Sequence, residues 1–157
     1  MSEYRATVEW QLKGEFNYAT YSRAHAIDFG HGVQLSGNAG RGNVPATVQW
    51  TPGADPEQQF VASLSTCHML WFLHLAHDAK FVVERYRDEA SGVLAKNAEG
   101  RQAMTQVTLR PVVTFSGTKP TPEELQAIGF PVIMPNSLCP CSTANSSTIH
   151  AMICGVV

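Results

Sequence analysis

The stretch DPEQQFVASLSTCHMLWFLHLAHDAK, residues 55–80, predicts one long helix around which the rest of the chain is organised. Asp55 is a candidate N-cap, because its carboxylate can accept a hydrogen bond from a free backbone N–H of the first turn. Pro56 fits the first helical position, where its missing N–H leaves no partner unsatisfied. Glu57 places a negative charge at the positive end of the helix dipole.

Apolar side chains lie on nearly every side of this predicted helix, at Phe60, Val61, Leu64, Met69, Leu70, Trp71, Phe72, Leu73 and Leu75. A helix that is apolar all round is either buried in a protein core or spans a membrane. Serine, threonine and histidine residues interrupt the run, which disfavours a membrane span. We therefore predict a core helix with Cys67 at its middle, and no membrane partner.

The composition indicates one folded domain, residues 1–157, that is long enough for a hydrophobic core. With 44% apolar residues and a net charge of −2, the chain has no bulk attraction for nucleic acid. The start, MSEYRATVEW, lacks the basic and then apolar pattern of a secretion signal, so we expect a cytoplasmic protein. Because thiols stay reduced there, we interpret the four cysteines as free, metal-binding or redox-active.

Alternating apolar and polar residues predict strands before the helix. Tyr4 to Lys13 alternates cleanly, which is typical of a half-buried strand. Tyr21 to Phe29 and Val33 to Ser36 are predicted as two further strands, joined by a turn at residues 30–32. Together the three segments indicate an antiparallel meander.

After the helix, three more strands are predicted, at residues 82–86, 91–96 and 103–115. Pro111 lies within the last of these and indicates an edge or a bulge, since proline cannot donate a ladder hydrogen bond. Thr121, followed by proline and two acids, begins a second helix, which Gly129 ends early.

Cys67 is the candidate reactive residue. A cysteine on an apolar helix is by itself most simply a small core residue, and a buried thiol is inert unless a cation or a donor stabilises the thiolate. Arg23, on an early strand, is a candidate cation, and Arg41, in the loop before the helix, is the alternative. Glu57 is a candidate to hold the guanidinium of Arg23 through a bidentate ion pair.

The helix string together with YRDEASGVL, residues 86–94, resembles the OsmC/Ohr family of thiol-dependent peroxidases. The resemblance covers roughly residues 21–125. Its specific points are the Pro-Glu that opens the helix, Ala-Ser-Leu at 62–64 and Cys-His-Met-Leu at 67–70. YSRAH, residues 21–25, is similar to the Y-x-R-x-H of one branch of the family, which favours Arg23 over Arg41.

The resemblance implies an α+β fold in which a long central helix is wrapped by antiparallel sheets of two intertwined subunits. It therefore implies a homodimer with its active sites at the interface. A long helix that is apolar on all faces needs more cover than one small sheet provides, which also favours a partner chain.

The resemblance also implies a mechanism without a cofactor. Cys67 attacks an organic hydroperoxide and becomes a sulfenic acid, and a second cysteine, Cys139 or Cys141, condenses with it to a disulfide. A dithiol or lipoyl-type reductant restores both thiols. Arg23 stabilises the thiolate, and Glu57 positions Arg23.

The C-terminal segment, residues 128–157, is atypical of the family. CSTANS, residues 141–146, keeps the C-x-x-A-N-S pattern of one branch, whereas CPCS, residues 139–142, fits the C-P-x-S pattern of the other. The segment either has diverged or follows a change of reading frame near Ala127. In the second case the resolving cysteine is missing or displaced.

Two rival functions compete with the peroxidase. A metal site could use Cys67, His74, His77 and the Cys139/Cys141 pair, but the spacing matches no zinc motif, so we predict no metal. His74 and His77 are interpreted as satisfied or exposed histidines, and His68, about 100° from Cys67 on the helix, as a core or interface histidine. The other rival is an OsmC-like dimer without turnover that binds a lipophilic ligand.

Overall fold

The computed structural model describes residues 3–129; Cys139 and Cys141, the predicted resolving cysteines, lie outside the described residues. The chain divides into two units, Met1–Gln59 and Phe60–Val157. The predicted single domain, residues 1–157, stays a prediction.

The first unit contains a three-stranded antiparallel meander, as predicted. The strands β1, β2 and β3 span Thr7–Glu9, His25–Asp28 and Gln34–Gly37, in the sheet order β1-β2-β3. The predicted half-buried strand from Tyr4 to Lys13 was wrong in extent and in burial. Only its three central residues pair with β2, and all three are exposed.

The end of β3 is tied to the segment that leads into the long helix. The side chain of Asn38, 2% exposed, donates to the Thr51 carbonyl oxygen at 2.7 Å. Its backbone N–H donates to the Ala54 oxygen at 3.1 Å. A Cβ at Gly53 would lie 2.9 Å from the carbonyl carbon of Gly37, so only glycine permits this approach. These contacts fix where the helix begins.

The long helix, α1, spans Pro56–Asp78, as predicted. Asp55 caps it, because the Gln58 N–H donates to Asp55 Oδ1 at 2.7 Å while Gln58 Oε1 accepts from the Asp55 N–H at 3.4 Å. At the other end Lys80 adopts a left-handed conformation with φ 65°. The Lys80 N–H donates to the His77 oxygen, and the Phe81 N–H donates to the Ala76 oxygen. This is a Schellman ending made without glycine.

The second unit contains two antiparallel two-stranded sheets. In one, β4 (Val82–Asp88) pairs with β7 (Pro111–Ser116); in the other, β5 (Ser91–Lys96) pairs with β6 (Gln102–Thr108). The predicted single strand over residues 103–115 was therefore wrong. Proline can start a strand but cannot continue a ladder, and Pro111 begins β7 in the other sheet. Helices and antiparallel strands together confirm the α+β class.

The core of the second unit lies where α1 meets β4, β7 and the second helix, α2 (Pro122–Ala127). Phe72, Ala76 and Ile128 are its buried centre. Partly buried apolar side chains surround them: Leu73, Leu75, Phe81, Val83, Tyr86, Val113, Phe115 and Leu125. Thr121 caps α2 in a capping box with Glu124, and Gly129, with φ 76°, follows its end, as predicted.

Candidate active site

Cys67 lies at the middle of α1, half-buried and with a free thiol. At about 100° per residue it shares one face of the helix with residues one and two turns away. We call this the outer face of α1; its members are Phe60, Ser63, Cys67, Leu70, Trp71 and His74. All of them except Cys67 are exposed, with Leu70 at 53% and Trp71 at 54%.

The opposite side, the inner face of α1, packs in the core. Phe72 and Ala76 are the buried residues of the helix. The predicted core helix is therefore covered on one side only by its own chain. The cysteine lies on the side that the core of its own chain leaves uncovered.

A polar contact joins the inner face to strand β4 in the turn that carries Cys67. Ser65 Oγ donates to Asp88 Oδ2 at 2.6 Å. The other carboxylate oxygen, Oδ1, accepts from the Arg110 backbone N–H, also at 2.6 Å. Because charge-assisted hydrogen bonds are short and strong, the carboxylate holds α1 and the start of β7 to β4.

His68 makes the second hydrogen bond between α1 and β4. Its Nδ1 lies 2.8 Å from the Tyr86 hydroxyl oxygen and its Nε2 lies 3.1 Å from the Gly129 carbonyl oxygen. A carbonyl oxygen only accepts, so Nε2 carries the hydrogen, and in the neutral ring Nδ1 accepts from the Tyr86 hydroxyl. The ring also stacks on Phe72, with centroids 6.5 Å apart. His68 is thus half-buried beside Phe72 and bonded to groups of its own unit.

Tyr86 is suited to be the donor in this hydrogen bond. Burial and, after it, the negative charge of Asp88 raise the pKa of Tyr86 to about 12. Its hydroxyl is protonated at neutral pH, as it would be at the ordinary pKa of 10, and can donate to His68.

Arg23, the predicted cation, is held inside the first unit by main-chain oxygens and aromatic rings. Its guanidinium donates to the Tyr21 oxygen at 2.6 Å and to the Tyr18 oxygen at 2.8 Å. It also lies over both rings, 3.8 Å from the Tyr21 centroid and 4.8 Å from that of Tyr18. The guanidinium is thus fixed in direction by its neighbours.

Glu57, the predicted partner of Arg23, is half-buried in the first turn of α1. Within residues 3–129 no ion pair joins it to Arg23. Arg41, the alternative cation, lies over the Trp50 ring at 5.9 Å. The pairing of Arg23 with Glu57 and the action of either arginine on Cys67 stay predictions.

His74 and His77 lie near the C-terminal end of α1, beside an acid that the sequence analysis did not assign to them. Asp78 Oδ2 is 3.6 Å from His74 Nε2, and Asp78 Oδ1 is 3.4 Å from His77 Nδ1. The three side chains are all more than half exposed. Across residues 3–129, no cluster of three or more histidine, cysteine or acidic side chains is arranged to hold a metal ion.

Sequence reasoning missed Ser65, Tyr86 and Asp88. The signal was present in their spacing: Ser65 and His68 are three residues apart, on one face of a helix, and Tyr86 and Asp88 are two apart, on one face of a strand. What the sequence did not contain was the register that brings these two faces together.

Among the described residues, no helix is long and apolar enough to cross a membrane.

Comparison with solved structures shows what this chain is similar to. No family model and no curated protein sequence matches the chain. Among solved structures, it is similar to an OsmC-like protein of unknown function from Vibrio cholerae, with a TM-score of 0.76 and 43% identity over 82% of this chain and 85% of that chain.

Two distant structures share the fold. An OsmC-like protein from Mycoplasma pneumoniae has a TM-score of 0.58 and 11% identity, over 81% of this chain and 77% of its own. An organic hydroperoxide resistance protein from Elizabethkingia anophelis has a TM-score of 0.53 and 16% identity, over 82% and 79%.

Because the pKa of Tyr86 is raised, this residue should make a contribution to the free energy of unfolding that depends on pH. The folded state favours the neutral phenol, so this share is complete below pH 10, the ordinary pKa, and is lost as the pH rises towards 12. We expect the wild type to be more stable than Tyr86→Phe at pH 8, and this difference to shrink by pH 11. Urea unfolding of both proteins from pH 8 to pH 11 measures it; a constant difference would contradict the assignment.

Proposed function

Because the chain belongs to the OsmC-like family, we propose that it is a thiol-dependent peroxidase that reduces organic hydroperoxides with Cys67 as its reactive residue. One observation carries the proposal. The free thiol of Cys67 lies on the outer face of α1, among exposed apolar side chains. A reactive cysteine must be reached by its substrate, and an apolar surround suits an alkyl group better than it suits hydrogen peroxide.

The first step is the oxidation of Cys67. Its thiolate attacks the distal oxygen of the hydroperoxide, the O–O bond breaks, and the alkoxide leaves with a proton as the alcohol. Sulfur is oxidised to a sulfenic acid and the peroxide is reduced.

The second step closes a disulfide. The thiol of Cys139 or Cys141 attacks the sulfenic sulfur of Cys67, and water leaves. A dithiol or lipoyl-type reductant then breaks this disulfide by exchange, and is itself oxidised to a disulfide. The sum is hydroperoxide plus dithiol giving alcohol, water and disulfide, so the cycle needs no cofactor.

Arg23 is the proposed cation for the thiolate, and Glu57 the proposed residue that positions it. A guanidinium has five N–H donors, and the carbonyl oxygens of Tyr18 and Tyr21 take only two of them. Its remaining donors are suited to a thiolate, a peroxide oxygen or the Glu57 carboxylate. The guanidinium of Arg23 is fixed in direction, which supports a role in binding the thiolate or the peroxide. A donor that is already oriented loses less entropy when it binds.

We also propose that this protein is a cytoplasmic homodimer. The outer face of α1 carries Phe60, Leu70 and Trp71 at 39–54% exposure. Large apolar side chains exposed together on one face of a helix typically mark a protein interface or a ligand site. A second copy of the chain would cover part of this face.

The cysteine cycle predicts a defined change in mass. One equivalent of cumene hydroperoxide, added without reductant, should remove about two mass units, the two hydrogens lost when a disulfide forms. Peptide mapping should place the bond between Cys67 and Cys139 or Cys141. Cys67→Ser should remain folded, show no such change and have no turnover with a dithiol.

Two other outcomes distinguish the rival accounts. A gain of about sixteen or thirty-two units on Cys67 alone would mean a reactive thiol without a resolving partner, as a displaced C-terminal segment predicts. No reaction of Cys67 would contradict the peroxidase and favour the ligand-binding dimer.

The homodimer predicts that a charge on the outer face disrupts assembly. Leu70→Glu should shift the protein from two chains to one, or prevent folding, because an unpaired carboxylate would be buried in the interface. His77→Glu is the matched control, since it adds the same charge to the same helix at a site that is 80% exposed. Sedimentation velocity measures both; a wild type that sediments as a single chain would refute the dimer.

A further inference from the structure

The inner face of α1 holds an arrangement that the proposed chemistry does not use directly. Ser65 and His68 flank Cys67 in sequence, and each is hydrogen-bonded to a side chain of β4. We propose that Ser65, His68, Tyr86 and Asp88 are positioning residues that set the rotation of α1 about its axis, and thereby the direction in which Cys67 faces. We call the four residues the α1–β4 polar contact.

The helix needs such a device because its apolar residues do not select one rotation. Leu70 and Trp71 on the outer face are as hydrophobic as Phe72 and Leu73 on the inner side. Hydrophobicity is not directional, so the apolar character of these side chains does not by itself select which of them faces the core. Hydrophobic burial holds α1 against the sheet but leaves its rotation poorly determined.

Directional hydrogen bonds do select a rotation. Ser65 Oγ reaches Asp88 Oδ2 at 2.6 Å, and His68 Nδ1 reaches the Tyr86 hydroxyl at 2.8 Å. Tyr86 and Asp88 lie two residues apart on β4, on one face of the strand. A rotation of one residue position, about 100°, would separate both pairs and leave a carboxylate and a ring nitrogen without their partners. All four side chains are half-buried, so water replaces the lost hydrogen bonds only in part and this rotation is disfavoured.

Asp88 on the strand and His68 on the helix each make a further hydrogen bond. The Asp88 carboxylate also accepts from the Arg110 backbone N–H at 2.6 Å, and His68 Nε2 also donates to the Gly129 oxygen at 3.1 Å. The contact therefore joins α1 to β4, to the start of β7 and to the end of α2. In the described part of the second unit, no side-chain N or O atom of a buried group lacks a partner.

The geometry makes these residues positioning residues and not catalytic ones. Around the helix axis Cys67 lies about 100° from His68 and about 160° from Ser65. Ser65 is thus on the far side of the helix from Cys67 and His68 is at its flank, so both act on the thiol through the orientation of α1. Misplacing a reacting atom by about 1 Å can slow a reaction a hundredfold, so orientation alone has a large effect.

The test compares three variants of the contact with a stability control. Ser65→Ala and Tyr86→Phe each remove one hydroxyl while keeping the remaining shape, and Ser65→Thr keeps the hydroxyl. The control, Asn97→Ala, removes the side-chain oxygen that accepts from the Glu99 and Arg101 N–H groups, both at 3.0 Å, in the turn between β5 and β6. Each protein is measured where urea unfolding shows it to be fully folded.

Two rates are recorded for each protein: alkylation of Cys67 by iodoacetamide, followed by peptide mass spectrometry, and oxidation of Cys67 by cumene hydroperoxide. We expect Ser65→Ala and Tyr86→Phe to slow oxidation about tenfold and to slow alkylation as well. Ser65→Thr should recover the wild-type rates, and Asn97→Ala should keep them.

Of the two measurements, only the oxidation rate depends on the proposed peroxidase activity. If the wild type fails to react with the hydroperoxide, the alkylation rates still decide whether the contact positions Cys67. Equal alkylation rates in the wild type, Ser65→Ala and Tyr86→Phe would overturn the proposal, as would a loss of the same size in Asn97→Ala. Because Ser65→Ala is a small change, it keeps the test valid if Tyr86→Phe does not fold.

Discussion

The hydrogen bonds from Ser65 to Asp88 and from His68 to Tyr86 distinguish two sides of a helix that is apolar almost all round. With them in place, Phe72 and Ala76 are in the core and Cys67 is on the other side. The ends of the helix are fixed separately, by the Asp55 cap and by the left-handed Lys80. The caps set the length of α1, the hydrophobic core sets its contact with the sheet, and the polar contact sets its rotation.

The sequence predicted the elements whose signals are local. The helix followed from Asp55 and Pro56, and α2 followed from its Thr121 capping box, because caps depend on residues within one turn. It failed where the signal was ambiguous or absent. Residues 103–115 alternate like one strand although Pro111 begins a second, and nothing in the sequence marks Lys80 as the left-handed residue that glycine usually supplies.

The candidate site likewise contains some residues that local sequence indicates and others that it does not. Cys67 was proposed as the reactive residue from its helix and from the family string around it, both of which are contiguous in sequence. Ser65, Tyr86 and Asp88 were missed because their role depends on which strand packs on which face, and that register is a tertiary property. Arg23 and Glu57 are named by the resemblance alone, because an action on Cys67 would depend on long-range geometry that spacing does not give. The apolar outer face supports two proposals at once. Its exposed side chains favour a partner chain, and because they surround the thiol they also favour an alkyl hydroperoxide as the substrate.

The most direct measurement is the ratio of two rate constants for oxidation of reduced Cys67, one with cumene hydroperoxide and one with hydrogen peroxide. Stopped-flow tryptophan fluorescence can follow both, since Trp71 lies one turn from Cys67, and Cys67→Ser provides the blank. If the outer face selects the alkyl group, cumene hydroperoxide should react at least about tenfold faster, which corresponds to roughly 1.4 kcal/mol of apolar contact. Equal rates, or a faster reaction with hydrogen peroxide, would contradict the account.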